Sequence, residues 1–179
     1  ISRIFGIFNG TSNYILSSMD KQKKSFDEVL SNAKKLGYAE SNPTADLNGD
    51  DVSSKLKILS SLCFSSFLNN NIYVEGIKNI DKIDIDNANK LGYKIKLLGF
   101  TELLDNKIYQ RVHPTLIKKE SFVASIDGVL NAVIITGNPV GHITIQGEGA
   151  GPAATTSALV SDISSIMRGN IKFPFSLSS

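Results

Sequence analysis

The stretch from Leu36 to Phe64, LGYAESNPTADLNGDDVSSKLKILSSLCF, constrains the fold more than any other part of the chain. Residues 40–49 are dense in turn formers and acids, which predicts a loop. From Gly49 onward the pattern is helical. At 100° per residue, Val52, Leu56, Ile58, Leu59, Leu62 and Cys63 fall on one broad arc, and Asp50, Ser53, Ser54, Lys57, Ser60 and Ser61 on the other. Asp51 and Lys55 are the two charges inside the apolar arc, and their i, i+4 spacing sets them side by side. An exposed pair of this kind is ordinarily a solvated helix decoration worth a few tenths of a kcal/mol. A charge in a low-dielectric place must instead be paired or used. The position of this pair, beside an acidic loop and within a greasy arc, marks it as a candidate site.

The rest of the chain supplies strands and further amphipathic helices. Residues 2–8 lean towards a β-strand, and Asn9-Gly10-Thr11 predicts a turn into a helix capped by Thr11 or Ser12, with Tyr14, Ile15 and Met19 as its apolar stripe. After a polar link, Ser25 and Glu28 form a capping-box pattern. Phe26, Val29, Leu30, Ala33 and Leu36 then recur at helical spacing, and Gly37 reads as a left-handed terminator. Residues 69–71 read as a loop, 73–86 as a short strand and turns, and 85–91 as a short helix ended by Gly92. A hairpin follows, with strands over 93–104 and 107–113 about Asp105-Asn106. Pro114 is expected to stop its ladder. Residues 122–126 suit a short helix or an extended connector. Two more strands are expected at 131–136 and 142–146. Gly147-Glu148-Gly149-Ala150-Gly151-Pro152 opens a last helix, whose stripe of Leu159, Val160, Ile163, Ile166 and Met167 should be buried; the tail from Ile171 should be loosely held. These elements predict an α+β fold, a mostly antiparallel sheet with helices against one face.

Composition narrows the function classes. The 179 residues suffice for one domain with a core. A net charge of +2 with dispersed basic residues points away from nucleic acid and anionic membranes. No apolar run approaches the roughly 18 residues a membrane helix needs. The single cysteine, Cys63, reads as a small buried hydrophobe and suits a reducing, cytoplasmic setting. His113 and His142 each sit at a predicted strand end, with no ligand partner at metal spacing, and read as structural; no metal site is expected. The 147–152 turn lacks the full dinucleotide fingerprint and the acid about 20 residues on.

Five runs carry a family resemblance: Asn9 to Leu16 (Asn-Gly-Thr-x-Asn-Tyr-Ile-Leu), Gly37 to Lys55, His113 to Ile117, Asp127 to Val133, and Gly147 to Gly151. In that order and spacing they resemble homoserine dehydrogenase over nearly the whole chain. The second run holds the family's substrate-binding pattern at Gly37, Tyr38, Glu40, Pro43, Asp46, Gly49, Asp51 and Lys55. The resemblance implies interconversion of L-homoserine and L-aspartate 4-semialdehyde with NAD or NADP, in threonine, methionine and isoleucine biosynthesis. It implies Lys55 as proton donor to the aldehyde in the reductive direction, positioned by Asp51. Glu40 would bind the amino group, and Asp46, Tyr38 and Thr11 would be further substrate contacts. Gly37 and Gly151 would approach the cofactor. Residues 1–150 would form the substrate-binding and dimerisation domain of a homodimer. Residues 151–179 would be a helix and tail returning to a Rossmann domain, which has no counterpart in these 179 residues; the helix's stripe would be buried against that domain and its apolar surface left uncovered here. The chain alone is therefore expected to be nearly inactive. The competing expectations are an inert dimerisation module from a cleaved or split dehydrogenase, and a thiol-dependent semialdehyde dehydrogenase. Cys63, inside a helical apolar arc, fits the last badly.

Overall fold

The computed structural model describes residues 1–64 and 72–169. A first strand, β1 (Arg3–Ile7), leads into α1 (Gly10–Gln22), α2 (Phe26–Lys35), the short α3 (Thr44–Asn48) and α4 (Asp50–Phe64). Then come β2 (Tyr73–Val74), α5 (Lys82–Lys90) and the hairpin β3 (Tyr93–Leu104) and β4 (Lys107–Lys118). A 3₁₀ turn (Phe122–Ser125), β5 (Leu130–Gly137), β6 (Gly141–Glu148) and α6 (Pro152–Met167) complete the described order. The strands form one sheet in the order β2-β4-β3-β1-β5-β6. Among the described residues only the β2–β4 pairing is parallel, so the mostly antiparallel α+β expectation holds.

Alternation along the strands builds two cores. Ile4, Leu97 and Val112 face the helices and pack with Ile15, Leu16, Met19, Val29, Val52, Leu56 and Ile85. Ile7, Leu98, Ala132 and Ile134 face the other way, where Val123 and Ile126 of the 3₁₀ segment partly cover them. Beyond that cover the second face carries a flat layer of rings: Phe5 stacks on Phe100, Phe100 on His113, and the guanidiniums of Arg3 and Arg111 lie over Phe5 and Phe100.

Helix ends follow local chemistry. Ser25 and Glu28 close the expected capping box on α2, and Gly37 ends that stretch at φ 74°, its N–H donating to the Lys34 carbonyl. α1 is capped otherwise than expected. The cap is Asn9, whose side-chain oxygen accepts from the Ser12 N–H, while Thr11 and Ser12 lie inside the helix. The predicted 40–49 loop contains α3. α5 starts earlier than its apolar pattern suggests, because Asp81 and Asp84 form a second capping box.

Three further expectations are corrected. Pro114 does not stop β4; it pairs with Leu97 and the strand runs on to Lys118. The Val112 carbonyl accepts from the Glu75 N–H on the β2 side, so the Pro114 nitrogen two residues on faces the same way, past the end of β2. The missing donor leaves the β3 ladder intact. His113 consequently lies within a strand and not at its end. On α4, Ser53, Ser60 and Ser61 are buried while Ile58 and Leu62 are exposed. Ser60 donates to the Leu56 carbonyl and shares a 2.6 Å hydrogen bond with Thr101, and small hydroxyl side chains let α4 settle close to β3. No residue of α6 is buried, and its Leu159, Val160, Ile163, Ile166 and Met167 stripe joins neither core among the described residues, so its apolar surface is uncovered here, as expected. The stripe has helical periodicity, but α6 leaves the sheet beyond β6 instead of packing on it. The expected loop at 69–71 and the tail from 171 lie outside the described residues. Among the described residues no helix is long and apolar enough to cross a membrane.

Candidate active site

Phe8 and Asn9 sit where β1 ends and α1 begins, and the acidic helices arrive at this junction. Val52 and Leu56 anchor α4 on the sheet, which points Asp51 and Lys55 at the same corner. Gly99 of β3 makes room here. A Cβ on it would stand 2.8 Å from the Phe8 ring, so the bare backbone lets that ring lie on the sheet beneath α4. The Lys55 ammonium then donates to the Phe8 carbonyl at 3.0 Å and pairs with Asp51 at 2.8 Å. Its side chain remains 43% exposed, facing a cleft of about 530 Å³.

The centre of the acid cluster is Asn9. It is 4% exposed, and its amide nitrogen donates to Asp46 at 2.7 Å and to Asp51 at 2.8 Å. One planar amide therefore caps α1 with its oxygen and holds two carboxylates, from α3 and α4, with its nitrogen. In the sequence Asn9 reads as part of a turn and opens the first family run, but not as a site residue. The signal that singles it out is an amide immediately before a helix, with acids elsewhere left to find donors.

The remaining predicted residues come to the same cleft. Glu40 lines it and makes no hydrogen bond or ion pair among the described residues. Tyr38 packs its ring at 4.9 Å from Tyr14 and its carbonyl accepts from the Thr11 hydroxyl at 2.8 Å, which ties the Gly37 turn to the start of α1. Gly37 and Gly151 both line the cleft with positive φ, and beyond their chain neighbours no atom of the described residues lies within 4 Å of where either Cβ would stand. Four carboxylates (Glu40, Asp46, Asp51, Glu148) against the one ammonium of Lys55 leave a formal charge of −3 on the lining. Such a lining favours a cationic group in its ligand. Glu148 and Asn131, both in the lining, were not among the predicted site residues.

The Asp127 to Val133 run divides between support and lining. Asp127 pairs with Lys96 at 2.8 Å, Lys21 at 2.9 Å and Lys94 at 3.4 Å. Lys96 is 1% exposed and also donates to Asn13 and to the Ile126 carbonyl. Asn13 in turn donates to the Ile126 and Leu130 carbonyls. This network bolts α1, one turn beyond Asn9, to the segment that carries Asn131. Burial pushes the Lys96 ammonium below the usual lysine range, against the pull of Asp127. Burial raises the Asp127 carboxyl, but hydrogen bonds from Lys96 and Lys21 outweigh it and hold it below the ordinary aspartate value. Cys63 lies apart from the cleft, and burial pushes its thiol up, as befits an inert side chain. Among the described residues no three His, Cys, Asp or Glu side chains are grouped to hold a metal ion.

A family model for homoserine dehydrogenase matches residues 1–164. The chain belongs to the homoserine dehydrogenase family. It is similar to the homoserine dehydrogenase of Neisseria gonorrhoeae, 47% identical over 169 residues, covering 94% of this chain and 39% of that protein. It is 46% identical over 164 residues to that of Helicobacter pylori, covering 91% and 39%. Among solved structures, the Thiobacillus denitrificans homoserine dehydrogenase superposes with a TM-score of 0.91 at 42% identity, covering all of this chain and 42% of that one. A hyperthermophilic archaeal homoserine dehydrogenase mutant in complex with NADPH superposes with a TM-score of 0.73 at 27% identity, covering 92% and 47%. The chain thus spans about 40% of the length of the curated homoserine dehydrogenases it matches.

Proposed function

We propose that this chain is the substrate-binding portion of an NAD- or NADP-dependent homoserine dehydrogenase, interconverting L-homoserine and L-aspartate 4-semialdehyde. The observation that carries the reading is the Lys55 ammonium, held by Asp51 and the Phe8 carbonyl at the edge of an acid-lined cleft. The substrate's own ammonium complements the surplus of carboxylates, with Glu40 as the partner that is unengaged among the described residues. Asp46 and Asp51 are already fixed by Asn9 and set the shape of the floor. In the reductive direction the Lys55 Nζ donates a proton to the aldehyde oxygen, and in the oxidative direction it takes the hydroxyl proton back. Asp51 and the Phe8 carbonyl keep two of its directions occupied and leave one N–H for the substrate. Tyr38 and Thr11 form the rim.

The bare backbone at Gly37 and Gly151 leaves open space against the cleft, which fits the close approach of a nicotinamide ring. When bound, the cofactor accepts or supplies the hydride. We place its dinucleotide-binding half in the length of the family that these residues do not span, and α6, with its uncovered apolar stripe, as the element that returns to it. We also propose a homodimer built on the second face of the sheet, whose layer of Phe5, Phe100, Arg3 and Arg111 is poorly covered; sedimentation of the chain tests it. The lone cysteine suits a reducing, cytoplasmic setting.

The test of the chemistry is Lys55→Met in the full gene product, followed by nicotinamide absorbance. Loss of a general acid–base costs about 10²- to 10⁴-fold in turnover, with the cofactor KM little changed. Glu40→Gln should raise the KM for L-homoserine instead. Full turnover in Lys55→Met would sink the assignment and leave an inert dimerisation module as the reading.

A further inference from the structure

One polar side chain in the cleft has no explanation in the chemistry above. Asn131 comes from β5 and lines the cleft beside Glu148, Gly149 and Gly151. Its Oδ1 is buried and accepts no hydrogen bond from the described residues. Its Nδ2 lies so close to Gly149 that a Cβ there would overlap it, and it makes no hydrogen bond among the described residues. Buried polar atoms are paired in the great majority of cases, and an orphan calls for a partner. The 147–151 stretch packs on this amide through Gly149 and carries glycines at 147, 149 and 151, a backbone permissive enough to move outward from the oxygen when a partner binds.

The identity of the partner follows from what the other groups are. Asp46 and Asp51 are engaged by Asn9, Lys55 by Asp51 and Phe8, and Thr11 by the Tyr38 carbonyl. Of the rest, Glu40 is left for the substrate ammonium and one N–H of Lys55 for its aldehyde or hydroxyl oxygen. Asn131 is neutral and offers one planar acceptor and one planar donor, standing where the glycine turn leaves room for a flat ring. The complement of such a group is another primary carboxamide. We propose that Asn131 reads the carboxamide of the nicotinamide ring: its Oδ1 accepts from the ring's amide N–H, and so fixes the ring's rotation over the substrate. This rests on the dehydrogenase reading and adds to it a residue that orients the cofactor.

The experiment measures dissociation constants of the full gene product for two reduced cofactors. One carries the natural carboxamide; the other is the 3-acetylpyridine analogue, whose methyl ketone cannot donate. The unaltered protein should favour the carboxamide by about 5- to 10-fold, the worth of one neutral hydrogen bond with its acceptor otherwise unpaired. Asn131→Ala and the similarly branched, apolar Asn131→Leu should bring that ratio close to one, leaving the KM for L-homoserine within two-fold. The second variant keeps the packing on Gly149 should the first fail to fold. Asn131→Asp, which still accepts, should retain a preference. An unchanged ratio in Asn131→Leu, or a rise confined to the KM for L-homoserine, overturns the assignment while leaving the dehydrogenase reading in place. No cofactor binding by the unaltered protein overturns both.

Discussion

Replacing Asn9 by alanine should destabilise the chain far more than the loss of one small polar side chain suggests. The side chain is 4% exposed and makes three hydrogen bonds. The cap on α1 contributes about 1 kcal/mol. Each bond to a charged acceptor contributes about 1.5 kcal/mol, the low end of its range, since the cleft admits water. The sum is about 4 kcal/mol, a fall in Tm of roughly 10 °C for a chain of this size. Urea unfolding followed by circular dichroism measures it. Asn9→Asp sharpens the argument. It keeps the oxygen that caps α1 but replaces the donor with a third carboxylate beside Asp46 and Asp51. Asn9→Asp should therefore be at least as unstable as Asn9→Ala, and should regain part of the loss in 1 M salt, where screening acts over about 3 Å. A cost below about 1 kcal/mol for Asn9→Ala, or an Asn9→Asp protein as stable as the original, would show that Asn9 does not organise the acids.

Three further outcomes are expected. Lys96→Met leaves Asp127 and the Ile126 carbonyl without their buried partner and should cost about 3–5 kcal/mol by urea unfolding; pairing it with Asp127→Asn should recover a large part. The Asp127 carboxyl is held below its unfolded value, so its stabilisation is complete above that value and is lost as pH falls through the folded one. The stability difference between the chain and Asp127→Asn should accordingly be constant near neutrality and shrink below about pH 4, where unfolded aspartate titrates. Gly99→Ala sets a Cβ 2.8 Å from the Phe8 ring and should cost about 1–3 kcal/mol by thermal melting, as overpacking does.

The parts of this fold that local chemistry dictates are legible from the residues alone. The strand from Tyr93 to Leu104, the turn at Asp105-Asn106, the Ser25 box and the Gly37 terminator each follow from neighbours within a few positions. What is not legible depends on distant partners. Lys96, between Ile95 and Leu97, has the pattern of a solvent-facing strand position; it is buried because the 3₁₀ segment and Asp127, some 30 residues on, close over it. Ser60 reads as polar surface until Thr101 arrives to share its hydroxyl. Pro114 reads as a breaker because only the tertiary fold reveals that, among the described residues, no strand waits on its nitrogen side. At the site, the second run places Glu40, Asp46, Asp51 and Lys55 in one cleft as the resemblance implies, whereas Asn9 and Asn131 depend on junctions that no periodicity encodes.

The double duty of Asn9 divides the cleft into a frozen half and a variable half. Any change at Asp46 or Asp51 disturbs a helix cap, so drift there carries a folding penalty whatever it does for ligand choice. Glu40 and Tyr38 stand on the rim, and no helix is capped by either side chain. Selection for a shorter, longer or differently charged ligand would therefore find its room at the rim, with the floor passed on unaltered.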